Sequence, residues 1–169
     1  MTLLLPNAEL VALGWLALVP GFSTAMLGTT LPRIPATGDL PAWIATGFVQ
    51  VPFVVGGSPD PYSIQARPVV QVSCWAANAK SDQSTAKIAV SNKPPWGKAN
   101  QLAEQIRAAC QALRFSGQPR NVAMPVSGYA HANVQAAWLL TEPRRIPADV
   151  AGYAHFSFDL QMAWIAEAT

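Results

Sequence analysis

The residues from Arg67 to Phe115 constrain the fold more than any other part of this chain. They read as one strand, one polar loop and one amphipathic helix. Val69 to Ala77 is a strand, with Val70, Val72, Cys74 and Ala76 on one face and Gln71, Ser73 and Trp75 on the other. Asn78 to Asn92 carries Lys80, Asp82, Lys87 and three serines and reads as a solvated loop. The one extended candidate within it is Ala86 to Val90. The helix runs from about Pro95 to Phe115. Ala99, Leu102, Ala103, Ile106, Cys110 and Leu113 recur at helical spacing, and Lys98, Glu104, Gln105, Arg107, Gln111 and Arg114 cover much of the rest. Proline suits the first turn, where no N–H is required, and Gly117 and Pro119 end the element. The helix stripe should therefore pack on the Val70–Val72–Cys74 face and bring the two cysteines into one core.

The C-terminal third predicts two long strands. Asn133 to Thr141 places Val134, Ala136, Trp138 and Leu140 on one face. Tyr153 to Ile165 alternates with Ala154, Phe156, Phe158, Leu160, Met162 and Trp164 to one side and Tyr153, His155, Ser157, Asp159 and Gln161 to the other. Glu142 to Asp149, bounded by Pro143 and Pro147, is short enough to join them as an antiparallel pair. Earlier in the chain, Trp43 to Val55 reads as a strand held to an edge or bulge by Pro52. Gly56 to Pro61 reads as a turn. Pro20 to Pro41 is a Gly-, Thr- and Pro-rich arm with short extended pieces such as Thr29 to Ile34. The expected fold is α+β: a single, mainly antiparallel sheet of about four to five strands, two helices on one face, and long N-terminal and inter-strand loops. A chain of 169 residues suits one domain spanning 1–169.

The first helix raises the question of partners. Asn7 is positioned to cap it, Glu9 suits its first turn and Pro20-Gly21 stops it. Its uninterrupted apolar run, Leu10 to Val19, is about half of the ~20 residues that a bilayer needs. The first cationic side chain is Arg33, so the basic start of a signal peptide is missing. A buried helix, not a membrane span, is expected. Yet Leu10, Val11, Leu13, Trp15, Leu16, Leu18 and Val19 leave it no polar face. Either a neighbouring subunit covers one side or the chain's own loops wrap it. Charged residues are only 12% of the chain against 51% hydrophobic, which favours apolar surface buried between chains. The net charge of +2 is too small and scattered for a dedicated nucleic-acid face.

Little chemistry is encoded. Cys74 and Cys110 fit free, buried thiols of a reducing compartment rather than a disulfide or zinc framework. The two histidines sit in echoed tetrapeptides, Gly128-Tyr129-Ala130-His131 and Gly152-Tyr153-Ala154-His155. In an antiparallel pair they stand some seven rungs apart, roughly 20–25 Å, too far for one metal. No nucleophile elbow, zincin motif or phosphate-cradling loop is present, and Asp149 and Asp159 read as solvated charges. No catalytic, cofactor or metal residue is assigned. The candidate interface residues are Trp15 and Leu16 on the apolar helix, Trp75 opposite the second helix, Trp96 and Lys98 in that helix's first turn, and Arg144 and Arg145 in the last connection. Exposed tryptophans are enriched at interfaces, and the alternative is that a local loop covers each of Trp75 and Trp96; the arginines are either solvated or in contact with an acidic partner.

Four segments resemble the tail terminator proteins of long, non-contractile-tailed bacteriophages, especially those infecting actinobacteria. They are Asn7-Ala8-Glu9-Leu10 with Trp15-Leu16, Gly47-Phe48-Val49-Gln50-Val51, Pro68 to Ala76, and Pro94-Pro95-Trp96-Gly97-Lys98-Ala99-Asn100-Gln101-Leu102-Ala103-Glu104. The order of elements is similar too. The resemblance implies a virion protein at the head–tail junction, assembled in the host cytoplasm. It implies a six-fold ring that caps the tail tube, stops its polymerisation and joins the head-completion or connector protein. Genome DNA would pass through the ring without sequence-specific binding. The resemblance implies no enzyme activity, cofactor or membrane. Another neck or tail component, such as a head-completion protein or tube subunit, is the nearest alternative, and a small enzyme or ligand-binding domain is a further one.

Overall fold

Fourteen consecutive residues, Tyr153–Ala166, form the strand on which the sheet is assembled. Their alternation is what a strand with helices on one face requires: Phe158, Leu160 and Met162 are buried against the helices, and His155, Asp159 and Gln161 point the other way. The computed structural model describes residues 4–57, 64–82, 84–116, 119–147 and 152–167. The chain begins with helix α1 (Ala8–Leu16), a short 3₁₀ turn (Thr24–Met26), β1 (Leu27–Gly28), α2 (Trp43–Thr46), β2 (Phe48–Gln50), β3 (Val54–Gly56) and β4 (Gln65–Ala66). It continues with β5 (Val69–Ala77), β6 (Ala79–Ser81), β7 (Ile88–Val90), α3 (Trp96–Ser116), β8 (Arg120–Val122), β9 (Ala132–Leu139), β10 (Arg144–Ile146) and β11 (Tyr153–Ala166).

Among the described residues, nine strands share one sheet in the order β1-β2-β5-β11-β9-β8, with β3 on β5 and both β4 and β10 on β11. The α+β class is as expected, but the sheet is larger than the four to five strands foreseen. The β1–β2 pair is parallel, so the sheet is mixed. The excess has one physical origin. Prolines break long strands into named pieces without ending them. Gln65 to Ala77 runs along β11 through Arg67-Pro68, where the Met162 N–H still donates to the Pro68 carbonyl. On the other side β9 and β10 are collinear partners of β11. The Glu142-Pro143 break between them is spanned by Leu140 N–H donating to the Asp159 carbonyl and Asp159 N–H donating to Thr141 Oγ1. The expected connection at Glu142 to Asp149 is thus partly strand, and Arg144 and Arg145 lie on it; Ala148 and Asp149 lie outside the described residues.

Other boundaries move for equally local reasons. Trp43 to Val55 is not one strand. Gly47, at φ +85°, separates the short helix α2 from β2, and a Cβ there would stand 2.7 Å from Leu102 Cδ1. Pro52 then divides β2 from β3 on the same edge of β5. The expected extended piece at Thr29 to Ile34 is instead β1, at Leu27–Gly28. The polar segment after β5 contains a two-stranded hairpin, β6–β7. The turn expected at Gly56 to Pro61 and the helix stop at Gly117 fall largely outside the described residues.

One face of the sheet carries the main core. Val70, Val72 and Cys74 of β5 and Phe158, Leu160 and Met162 of β11 meet Leu102, Ala103, Ile106, Cys110 and Leu113 of α3. Trp15, Leu16 and Val11 of α1 join the same cluster. Both cysteines are free and buried there, and burial pushes the Cys110 thiol up to about 12. Asn7 caps α1, accepting from Leu10 N–H at 2.8 Å. Helix α1 contacts both β1 and β8, the two outer strands of the sheet path, so it lies across the seam where the sheet's edges curl toward each other. That placement removes most of the apolar paradox of α1: the chain itself wraps Val11, Ala12, Trp15 and Leu16. No helix among the described residues is long and apolar enough to cross a membrane.

Gly14 is where α1 meets β8. A Cβ there would lie 2.7 Å from both the Ala123 carbonyl oxygen and Val122 Cγ1. Gly14→Ala gains about 1 kcal/mol of helix propensity but forces backbone apart. The expected outcome is a net destabilisation of about 1–2 kcal/mol, read as a lower denaturant midpoint with an unchanged m-value.

Candidate assembly surfaces

The seven interface candidates separate into three environments. Trp15 and Leu16 are wholly buried in the chain's own core and are not accessible to a neighbour. Lys98 is committed internally: its Nζ donates to the carbonyls of Ile44 and Ala45, at 3.2 and 2.7 Å. It thereby ties the C-terminal end of α2 to the first turn of α3, where a cation complements the free carbonyls. Trp96, Arg145 and Trp75 gather with aromatic neighbours, while Arg144 is exposed on β10.

Trp96 and Arg145 are brought together by the sheet. The Arg145 guanidinium lies 3.6 Å from the Trp96 ring centroid, and Trp96 meets Phe156 edge-on at 6.0 Å. Arg145 pairs with Phe156 in the β10–β11 ladder, which places it directly over the start of α3. A guanidinium on an indole face is favourable by about 0.5–1 kcal/mol where solvent reaches it. The Pro94-Pro95-Trp96 corner is thus covered by the chain's own Arg145.

Trp75 does project from the face opposite α3, but it is not left bare. It stacks on His155, its cross-strand partner, with centroids 3.8 Å apart and planes 11° from parallel. Its Nε1–H donates to Gln50 Oε1 at 2.9 Å. Tyr153 meets it edge-on at 6.4 Å, and Trp43 of α2 packs on both Tyr153 and Phe48. This second aromatic cluster stabilises the far face of the sheet. Burial raises the Tyr153 pKa. Burial also lowers His155 to about 4, since a charged imidazole would be desolvated beneath the indole. His131 stands at the opposite end of β11, its carbonyl accepting from Glu167 N–H, so the two histidines are apart as expected. No group of three potential metal ligands occurs among the described residues.

The solvent-facing apolar residues lie elsewhere. Beside Pro52, the β3 edge exposes Phe53 and Val55, each at 51%, with Val54 at 44%. On the other side of the sheet, β9 exposes Trp138 at 39%, followed by Leu140 at 49%. The sequence pattern misassigns β9. A bulge opposite Ala163/Trp164 inserts Gln135, so Ala137 turns inward and Trp138 outward, reversing the alternation from that point. Pro52 marks the first of these as an edge in the sequence, but neither is among the interface candidates, although Pro52-Phe53-Val54-Val55-Gly56-Gly57, an apolar run without charge, is a signal for one.

Two concavities are formed by the described residues. A groove of about 320 Å³ runs along the seam, floored by Leu13 of α1 and by Ala17 and Leu18 just after it, and walled by Leu27, Met124 and Pro125. A wider cleft of about 860 Å³ lies between α2 and the β6–β7 hairpin; Lys80 is the only charged residue in its lining. Neither presents paired acid and base groups.

No family model matches this chain, and no curated protein matches it. Among solved structures it is similar to a chain of the virion of a native gene transfer agent particle. The TM-score is 0.44 at 11% identity, over 95% of this chain and 87% of that one.

The His155 environment fixes a pH dependence. With its folded-state pKa near 4 and an ordinary value of 6.5, the unfolded chain binds more protons between those limits. Stability is therefore full above about pH 6.5 and falls as pH drops toward 4. Because solvent reaches part of the ring, the loss is about 1–2 kcal/mol. His155→Phe, which keeps the stack on Trp75, flattens this slope in denaturation series between pH 7 and 4.

Proposed function

We propose that this protein is a structural component of a phage-like virion: the terminator ring at the head-proximal end of a long, non-contractile tail. The observation that carries the reading is the combination of the four family-like segments with two uncharged, apolar strand edges that one copy leaves facing solvent. A chain with 12% charged residues and exposed Phe53, Val55, Trp138 and Leu140 has surface that other chains are suited to cover. In this reading the work is done by surfaces. The ring is a closed heterologous assembly, in which two different patches of each subunit meet. One rim would meet the last layer of the tail tube and the other the head-completion protein. Arg144, exposed at the β10 edge, is a candidate contact to an acidic partner, and Arg145 and Trp96 hold that corner rigid.

Copy number in purified virions tests the proposal. Six copies per particle are expected, with native mass spectrometry of the released ring giving six times 18.0 kDa. Particles made without the protein should carry tails of unregulated length. A tube subunit would instead appear in many copies per particle, and absence of the chain from virions overturns the proposal altogether.

A further inference from the structure

The two apolar edges are related by the sheet's own register. Val54 of β3 pairs with Val70 of β5, Val70 with Leu160 of β11, and Leu160 with Leu139 of β9. The next rung runs Gly56, Val69, Gln161, Trp138. The edges therefore sit at the same level on opposite sides of a four-strand strip. Each neighbouring pair in the strip is antiparallel, so β3 and β9 run in opposite directions. Among the described residues no strand lies outside β3, and β8 covers β9 only at Ala132–Val134, leaving Gln135–Leu139 unpaired on that side. Three inter-strand gaps of ~4.8 Å hold the edges about 14 Å apart, so within one chain they cannot meet.

We infer that copies of this chain join edge to edge: β3 of one copy adds antiparallel to β9 of the next, with Val54 opposite Leu139. Ring closure rests on the function proposed above; the pairing itself rests on the register. Setting one strip beside another at the same level puts oppositely directed strands in contact, which is the arrangement an antiparallel ladder requires. Exposed backbone N–H and C=O groups gain partners, and Phe53, Val54, Val55 and Trp138 leave water. Chemistry selects a second copy over other occupants. Residues 52–57 and 135–140 contain no ionisable side chain, so neither edge suits nucleic acid or an acidic peptide. A foreign strand would satisfy one edge and leave the other bare, whereas a second copy satisfies both. Bulges at Val55 and Gln135 bend each edge, as curvature from copy to copy demands.

The test uses the full chain with Val54→Cys and Leu139→Cys together, oxidised mildly at high concentration and in assembled particles. Directly opposed antiparallel residues lie 4.5–5.5 Å apart at Cα, within disulfide reach. Cys74 and Cys110 are buried and give little background. Covalent multimers up to a limiting ring size are expected on a non-reducing denaturing gel, with each single variant remaining monomeric there. In parallel, Val55→Lys or Trp138→Lys alone should raise the concentration for half-assembly at least tenfold while the melting temperature of the monomer is unchanged. Rings seen by native mass spectrometry that do not cross-link, or that tolerate both lysines, overturn edge pairing and leave the terminator reading standing. Cross-linked chains without a limiting size support the pairing and overturn the closed ring. Dimers of the single variants, or a monomer that never cross-links in either setting, overturn the pairing.

Discussion

The structure depends on the two-sided ladder of β11. Most of that strand, from His155 to Ile165, is flanked on both sides: by Gln65 to Ala77 along one and by Ala132 to Ile146, with a break, along the other. A strand paired along both edges has nowhere to slip, because a shift of one residue would send Phe158, Leu160 and Met162 to the wrong face. That fixed register is what gives α3 its apolar floor of Val70, Val72, Phe158 and Leu160. It also sets Trp75 on His155 and Arg145 over Trp96, since each contact follows from the cross-strand pairs of β11.

The same ladder decides what remains available. Its flanking strands are interrupted at Pro68 and Pro143, and the strand beyond β5 at Pro52, and each interruption is bridged by hydrogen bonds rather than by a loop leaving the sheet. The outer strands that result are short, and stretches of β3 and β9 lie beyond their reach. Helix α1 meanwhile closes the seam between β1 and β8 and so uses up apolar surface that would otherwise face a neighbour. Part of the exposed apolar area is therefore carried by the strand edges, where backbone groups are also free. Edges of that kind are normally protected by charge in a monomer; here they are bare, which fits surfaces meant for other copies.

Much of the fold was legible in the residues because it obeys simple periods. The strands β5 and β11, the helix α3 with its stripe, and the Asn7 cap of α1 follow from spacing and local hydrogen bonding. The site was less legible. Trp15 and Leu16 looked like interface residues because their helix lacks a polar face, and only the curl of the sheet shows that α1 is wrapped by its own chain. Trp75 and Trp96 looked free because sequence does not show which residue lies across the ladder, and His155 and Arg145 are the ones that cover them. Trp138 was assigned to the wrong side because the bulge at Gln135 reverses the alternation, and a bulge depends on the partner strand.

By itself the sequence determined the α+β class, the central strand, the amphipathic helix, the poverty of charge and the lack of any recognisable catalytic motif. These are local or compositional properties: periodicity, capping and side-chain type. Tertiary structure alone decided that the sheet has nine strands among the described residues, that α1 seals a seam, and that the open edges β3 and β9 share one level. Those outcomes depend on register between segments far apart in the chain. Register is fixed by summed pairing and packing across the whole sheet, and no single segment carries it.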